Sequence, residues 1–401
     1  MLKSNILNNL KTRGFINDCT DLMGLDNLLS TSKITCYIGY DATASSLHVG
    51  HLMNIMMLRW FQKDGHRVIT LLGGGTTKIG DPSFRKTERP LITDKTIDAN
   101  LLSLKSIFSK YLNFSSDYPG ALMLNNDEWL SKLNYLDFLR DTGKHFSINR
   151  MLSFESVKSR LEKNDPLSFL EFNYMIFQAY DFYYLNKYYN CSLQMGGSDQ
   201  WGNIVSGIDL VKKISKKNAY AITSPLITNS DGSKMGKTAD GAVWLDEKKL
   251  SDYDFFQFWR NVDDRNVGKF LKLFTKLPLK EIDKLAKLEG AEINEAKKIL
   301  SFEVTKIARG YNEANNALQI SENTFNEKII DERLNSIEIK SIDLVKSLFN
   351  LIDAVEKLNL VKSRSEIKRL IKSNGIKVND ETFNDKEFSL KNWSDPLLDC
   401  L

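Results

Sequence analysis

The chain has little of what staples, breaks or hides a polypeptide. Its 401 residues include four cysteines, Cys19, Cys36, Cys191 and Cys400, scattered with no C-x-x-C pair among them. That pattern argues against a zinc ribbon or a disulfide framework and fits a reducing cytosol, so a cytoplasmic protein is expected. Seven prolines and 22 glycines are too few for a collagen-like or wholly disordered chain. No apolar run approaches the roughly 18–20 residues of a membrane-spanning helix, so no membrane is expected among its partners. The charges nearly cancel: 55 Lys and Arg against 51 Asp and Glu leave +4, which alone selects no partner. The first 17 residues carry Lys3, Lys11 and Arg13 and no acid, as a transit peptide would. They lack the long apolar stretch of a secretory signal, and a first amphipathic helix is the plainer reading.

What remains, 42% hydrophobic and 26% charged, is an ordinary globular composition. At roughly 100–200 residues per domain, the length predicts two or three domains. From about 34 to 230, short apolar strands alternate with helical stretches. The strands are predicted at 35–40, 68–72, 121–124, 192–195 and near 221–227, the helices at 50–63, 92–111, 128–142, 171–187 and 200–217. Such alternation predicts a parallel sheet covered by helices, an α/β fold. After Pro225 comes a polar loop, NSDGSKMGKTADG, and from Leu250 to about Asn316 the pattern is helical. Residues 318–340 are polar and poor in aromatics, as in a linker. In the last segment, 341–401, the stretch VKSRSEIKRLIKSNGIKV holds six basic residues and one acid. Arg364, Lys368, Arg369 and Lys372 follow helical spacing, with Ile367, Leu370 and Ile371 as a buried stripe. A basic helix, a glycine turn and a short strand suit an RNA backbone; a solvated helix face is the plain alternative.

Three short motifs carry chemistry. His48 and His51 stand three apart in HVGH, after a strand and the small-residue loop GYDATASSL, where a helix begins. A helix N-terminus offers N–H groups and a favourable dipole to an anion. The two imidazoles would add donors for a phosphate, and Gly50 would admit a purine ring close to the backbone. A metal site, for which no third ligand stands nearby, and a capping role for one histidine are the alternatives. Lys234 and Lys237, in KMGKT, can close over a polyphosphate and neutralise a leaving pyrophosphate. Without that role they are an exposed lysine pair; the loop is not a G-x-x-x-x-G-K-[ST] phosphate loop. GGSDQWGN, 196–203, ends a strand, where open α/β sheets bind ligands. Its glycines give backbone access and Asp199 can accept from a ribose, unless Ser198 or Asp199 merely caps the next helix.

Together HVGH, KMGKT, GGSDQWGN and FNYMIFQAYDF resemble the bacterial-type tyrosyl-tRNA synthetases, class I aminoacyl-tRNA synthetases, through nearly the whole chain. HVGH stands where that family has HIGH, and KMGKT where it has KMSKS-type residues. Each motif alone is weak; four in order at fitting distances are specific. GSDQW and YDATASSLHVGH separate the family from its tryptophanyl cousin. The resemblance implies a Rossmann-like catalytic domain over 1–230, paired into a homodimer through about 128–165. A KMSKS-type loop with an α-helical domain over 231–317, a linker over 318–340 and a small α+β S4-like RNA-binding domain over 341–401 would follow.

It also implies roles for single residues. Tyr37 and Asp181 would bond the phenol of L-tyrosine, Tyr174, Gln178 and Asp81 its ammonium, and Gln200 would lie near its carboxyl end. Tyr37 alone could be a strand core residue. Tyr174, Gln178 and Asp181, however, form a polar triple at i, i+4, i+7 amid Phe172, Met175, Ile176 and Phe177, which is odd for plain packing. Gly39, Asp41, Thr43, Gly50 and the two histidines would form one wall for ATP. Gly197 and Asp199 would face its ribose, and Lys234, Lys237 and Thr238 its phosphates. Arg85 and Arg89 would close over pyrophosphate. Mg2+ is expected on the phosphates, with no dedicated protein cage. Lys212 and Lys213 would touch the acceptor arm of the tRNA, although lysines at a helix C-terminus are also favourably placed against its dipole. Ile38 stands where Cys is common, so a polar ribose contact would be missing. Thr77 and Phe84 stand where glycine is usual, which bears on loop mobility. A tryptophan-specific relative, a nucleotidylyltransferase of the same fold and a catalytically decayed RNA-binding factor are the rival readings.

Overall fold

The computed structural model describes residues 2–83, 91–117, 119–228, 235–238, 241–323, 351–358, 361, 363–373, 375–378 and 381–382. They belong to two compact units, one ending at Leu318 and the other beginning at Gln319.

The first unit opens with α1 (Asn5–Arg13), β1 (Asp18–Cys19) and α2 (Leu22–Thr31). Next come β2 (Thr35–Asp41), α3 (Val49–Lys63), β3 (Arg67–Gly73), the short α4 (Gly74–Thr77) and α5 (Asp94–Tyr111). Then follow β4 (Leu122–Asn125), α6 (Asp127–Leu130), α7 (Tyr135–Asp141), α8 (Ile148–Ser153), α9 (Glu155–Glu162) and α10 (Phe169–Tyr189). β5 (Cys191–Gly197), α11 (Trp201–Ser215) and β6 (Tyr220–Ser224) complete the sheet. Its order is β1-β6-β5-β2-β3-β4, parallel throughout except for β1 on the β6 edge. The chain builds outward from β2 to β4, then returns to β5 and β6. The strand order therefore reverses between β2 and β5, and a crevice opens at their carboxyl ends.

Alternation along the strands divides the core. Cys36, Ile38 and Tyr40 of β2 join Val68 and Leu72 of β3 under α1, α3 and α5. Tyr37, Ile69 and Leu71 face the other way, against Phe182, Leu185 and Val211. Both faces are covered, which is why these strands read as near-continuous apolar runs. The helix expected over 128–142 is broken into α6 and α7. Asn134 ends the first by capping the second: its Oδ1 accepts from Leu136 N at 3.1 Å and Asp137 N at 3.2 Å.

Past the sheet, β7 (Lys237–Thr238) and β8 (Gly241–Ala242) form a two-stranded ribbon. α12 (Asp252–Arg260), α13 (Asp264–Phe274), α14 (Leu279–Leu285) and α15 (Ile293–Ala308) follow. They pack around Trp259, which is wholly buried among Phe255, Phe270 and Phe274. Arg13 ties α1 to this layer, donating from Nη2 to the Leu277 carbonyl at 2.7 Å and from Nη1 to the Lys272 carbonyl at 3.0 Å. The next helix, α16, runs Tyr311–Glu322, so helical structure continues into the segment read as a linker. Among the described residues no helix is long and apolar enough to cross a membrane.

In the second unit, α17 (Leu351–Lys357) packs against α18 (Arg364–Lys372), with Ile367 and Ile371 fully buried beside Ile352 and Val355. Leu370, expected in the same stripe, is half-buried. β9 (Lys377–Val378) pairs antiparallel with β10 (Glu381–Thr382).

Candidate active site

A cavity of about 320 Å³ lies over the carboxyl ends of β2 and β5. At one end the register sets Tyr37 of β2 opposite Gln194 of β5. Tyr37 is almost fully buried and its hydroxyl has no hydrogen-bond partner; the amide oxygen of Gln194 is likewise buried and unpartnered. Asp181, from α10, faces the same space. Its Oδ1 accepts from Trp129 Nε1 at 2.7 Å and its Oδ2 from Asn126 Nδ2 at 2.8 Å. Burial outweighs those two bonds and pushes the Asp181 carboxyl up to about 7, with the charge of Asp41 adding to the rise. Burial first, and Asp181 second, hold the Tyr37 phenol well above its ordinary range, so it stays a donor.

Asn126 organises this end. Its Oδ1 also accepts from Gly75 N at 2.8 Å, and its Nδ2 reaches Thr76 Oγ1 at 3.0 Å. Thr76 in turn donates to Asp41 Oδ1 at 2.8 Å, and Tyr174 donates its hydroxyl to Asp41 Oδ2 at 3.1 Å. A second link joins Gln200 Nε2 to Asp81 Oδ2 at 2.8 Å, while Gln178 keeps a buried, unpartnered amide oxygen in the wall.

The other end is built from the motifs. His48 is the N-cap of α3: its Nδ1 accepts from Gly50 N at 3.0 Å, and His51 Nδ1 accepts from His48 N at 3.2 Å. The imidazoles thus form a reciprocal capping box. The expectation of backbone N–H groups left for an anion is corrected here, since the Gly50 and His48 amides bond the imidazoles. A ring that accepts at Nδ1 carries its neutral-form proton on Nε2, so Nε2 is the donor of each ring. Gly50 serves this arrangement, because a Cβ there would lie 2.7 Å from His48 Cε1. Gly39 is different: a Cβ would meet nothing within 4 Å, and the strand backbone faces open space.

The KMGKT segment comes to the same place. Gly236 has φ +85°, and a Cβ on it would lie 2.7 Å from Val49 Cγ2 and 3.4 Å from His48 Nδ1. Backbone bonds fix the approach: Val49 N donates to the Val243 carbonyl at 2.9 Å, and Val243 N to the Gly236 carbonyl at 3.1 Å. Lys237 and Thr238 therefore enter β7 directly beside the histidine helix. Their side chains, and Lys234, Arg85, Arg89 and Phe84 altogether, lie outside the described residues. At the end of β5, Gly197 leaves room for Asp199, whose Oδ1 would be 2.5 Å from a Cβ there. Neither Ser198 nor Asp199 caps α11, whose N-cap is Gln200.

The cavity lining thus joins Tyr37, Gly39, Asp41, Thr43, His48, Gly50, His51, Asp81, Tyr174, Gln178, Asp181, Gly197, Asp199 and Gln200, all of them expected from the sequence. A class I tRNA synthetase family (W and Y) matches residues 29–326. The tyrosine–tRNA ligase of Cereibacter sphaeroides is 55% identical over 96% of the chain and 92% of that protein. That of Paracoccus denitrificans is 54% identical over 97% and 93%. The chain belongs to this synthetase family. Among solved structures, a C-terminally truncated mitochondrial tyrosyl-tRNA synthetase of Aspergillus nidulans aligns with a TM-score of 0.72 at 31% identity. It covers 80% of the chain and 94% of its own.

As a synthetase of this kind, the chain carries groups that sequence reasoning missed. Asn126, Thr76 and Gln194, which line the cavity, and Trp129, which bonds Asp181 behind it, come from separate elements and form no motif; the pairing of β2 with β5 and of β3 with β4 brings them together. Thr77, noted as a departure from the family pattern, ties two strand ends: its Oγ1 accepts from Ala42 N at 2.8 Å and donates to the Gly73 carbonyl. Ile38 is buried in the core and also borders the cavity. Outside it, Lys212 and Lys213 are exposed near the end of α11, Lys213 donating to the His145 carbonyl. Arg364, Lys368, Arg369 and Lys372 are exposed on α18. Arg364 is ion-paired with Asp353 and Glu356, and Arg369 with Glu366, so the helix offers less free positive charge than its composition promised.

Proposed function

We propose that the chain activates L-tyrosine with ATP to tyrosyl-adenylate and pyrophosphate, then transfers the tyrosyl group to the 3′-terminal adenosine of its tRNA. One observation carries this reading: the buried pair Tyr37 and Asp181 shares a single cavity with the His48–His51 capping box. Tyr37 donates to the substrate phenol oxygen, and the phenol O–H donates to the Asp181 carboxylate. Phenylalanine leaves the buried Tyr37 hydroxyl without a partner and gives Asp181 no phenol to accept from, a principle for which tyrosyl-tRNA synthetases are the standard example. Asp81, Tyr174 and Gln178 meet the substrate ammonium, and Gln200, bonded to Asp81, lies toward its carboxylate. That carboxylate attacks the α-phosphorus in line and pyrophosphate leaves; no enzyme nucleophile is needed. Acceleration then rests on positioning and on donors aimed at the charge that develops.

Gly39, Asp41, Thr43 and Gly50 form the ATP wall, with Gly197 and Asp199 on the ribose. His48 and His51 act on the phosphates, with Lys234, Lys237 and Thr238 as the flap and Arg85 and Arg89 as a second basic segment. Mg2+ comes with the phosphates; among the described residues no group of three or more His, Cys, Asp or Glu side chains is gathered to hold it. We assign the catalytic domain to 1–230, the flap and helical domain to 231–317, the linker to 318–340 and the RNA-binding module to 341–401. Lys212, Lys213 and the basic face of Arg364, Lys368, Arg369 and Lys372 take the tRNA backbone. A homodimer pairing through about 128–165 is supported by the large apolar side chains exposed there, Tyr135, Leu136, Ile148 and Leu161. The scattered cysteines favour the cytoplasm.

ATP–pyrophosphate exchange with each of the twenty amino acids tests the reading. Exchange with tyrosine alone is expected; exchange with tryptophan alone, or with none, defeats it.

A further inference from the structure

At the end of α3 farthest from His48, a second cavity of about 690 Å³ opens against the last turn of α5 and the loop after α13. Its charged lining is wholly basic: Arg59, Lys63, Lys110 and Lys276. An adjoining space of about 450 Å³ shares Arg59, Lys110 and Lys276 and adds Lys306 and Glu303. Two of these cations are neutralised, Lys110 by Glu247 at 2.5 Å and Lys306 by Glu303. Among the described residues Arg59, Lys63 and Lys276 have no salt bridge. Lys63 sits over the Trp60 ring at 5.1 Å. Burial, and then Arg59, Lys63 and Lys306, lower the pKa of the Lys276 ammonium, as expected of uncompensated like charge. Arg59 Nη1, Trp60 Nε1 and Tyr111 OH are buried donors without a partner, and Trp60 and Tyr111 are more than nine-tenths buried.

Three cations without a salt bridge, Arg59 among them, and the unpartnered donors of Trp60 and Tyr111 around one concavity ask for an acceptor-rich anion. The size is that of a small-molecule site, larger than a bare phosphate needs. Met56, Trp60 and Leu112 supply apolar wall. We infer that this cavity binds a small phosphorylated molecule, its phosphate held by Arg59 and Lys276 and its organic part against Trp60. A guanidinium and an ammonium are the usual partners of a phosphate. The site is separate from the reaction cavity: Arg59 stands eleven positions after His48, about 16 Å at about 1.5 Å per residue.

Calorimetric titration of the full chain with ribose 5-phosphate, and with inorganic phosphate alone, tests this. The reaction cavity is first filled with a non-hydrolysable tyrosyl-adenylate analogue. One saturable site for ribose 5-phosphate is expected. Arg59→Gln and Lys276→Gln should each weaken it about tenfold, the loss of a charge-assisted hydrogen bond. Lys276 is exposed, so its variant guards against misfolding of the Arg59 variant, and tyrosine-dependent exchange should be unchanged in it. No saturable binding up to about 10 mM, equal binding by the variants, or displacement by the adenylate analogue would overturn the inference. Weakened tRNA binding in both variants with neither small probe bound would move the phosphate to an RNA backbone and overturn it as well.

Discussion

The two ends of the reaction cavity solve different problems with different materials. At the phenol end, Tyr37, Asp181, Gln194 and Asn126 are each at most 2% exposed, and their geometry is fixed by strand register and by one another. At the nucleotide end, His48, His51 and Gly50 are half-buried, Thr43 is exposed, and the positions are set by helix capping and by a loop laid against it. Burial at the first end makes hydrogen bonds discriminating, because an unmatched group there has no water to turn to. Partial exposure at the second would leave room, on the proposed reading, for a charged polyphosphate to enter and for pyrophosphate to leave. On the proposed reading, one end chooses the amino acid and the other carries the reaction.

Breaking the phenol end should cost most. Asp181→Ala leaves Trp129 Nε1 and Asn126 Nδ2 without their acceptor and removes the phenol's partner. A fall of about 10³ in kcat/KM for tyrosine is expected in pyrophosphate exchange, most of it in KM. A loss under tenfold would mean that the pair does not read the phenol. His48→Ala should act on the other end alone. Adenylate formation should slow about 10²-fold in single-turnover kinetics, while the Kd for tyrosine moves less than about twofold. Equal losses in both would reduce the histidine to a cap.

Protonation separates the ends more gently. Burial pushes the Asp181 carboxyl up to about 7, and on the proposed reading it is the ionised form that accepts the phenol's hydrogen bond. The phenol and ammonium of free tyrosine do not titrate between pH 5.5 and 7.5. Tyrosine affinity should therefore fall as pH drops through 7, approaching about tenfold per unit below it. Fluorescence titrations at several pH values check this, and Asp181→Asn should flatten the profile. Gly236→Ala should give the smallest effect. Its Cβ would meet Val49 at 2.7 Å in a left-handed backbone conformation. Adenylate formation should slow several-fold, about 1 kcal/mol of strain, with tyrosine binding unchanged; slower chemistry with weakened tyrosine binding would show that the two ends are coupled.

Legibility followed the same division. The strand–helix alternation gave the sheet, since strands buried on both faces are short apolar runs between turn signals. The motif residues were legible because each motif is local: HVGH is a helix start and GGSDQWGN a strand end. The reading of the histidines was still incomplete. Sequence showed two imidazoles at a helix N-terminus, but which atoms the Nδ1 lone pairs accept from depends on backbone torsions. The unbroken helix over 128–142 failed at Asn134, where a side chain competing for backbone N–H groups outweighed the apolar pattern. The basic face of α18 was overcounted because Asp353 and Glu356, which pair with Arg364, lie on a different helix.

By itself the sequence determined the class of fold, the order of the motifs and the identity of about half of the cavity residues, because periodicity and capping signals act over a few positions. Only the tertiary structure decided that Asn126 and Trp129 hold Asp181, that Gln194 stands opposite Tyr37, and that Gly236 rests on Val49. Those contacts join positions about 50 to 190 apart, and such distances are closed by strand register and side-chain packing, which no local pattern records.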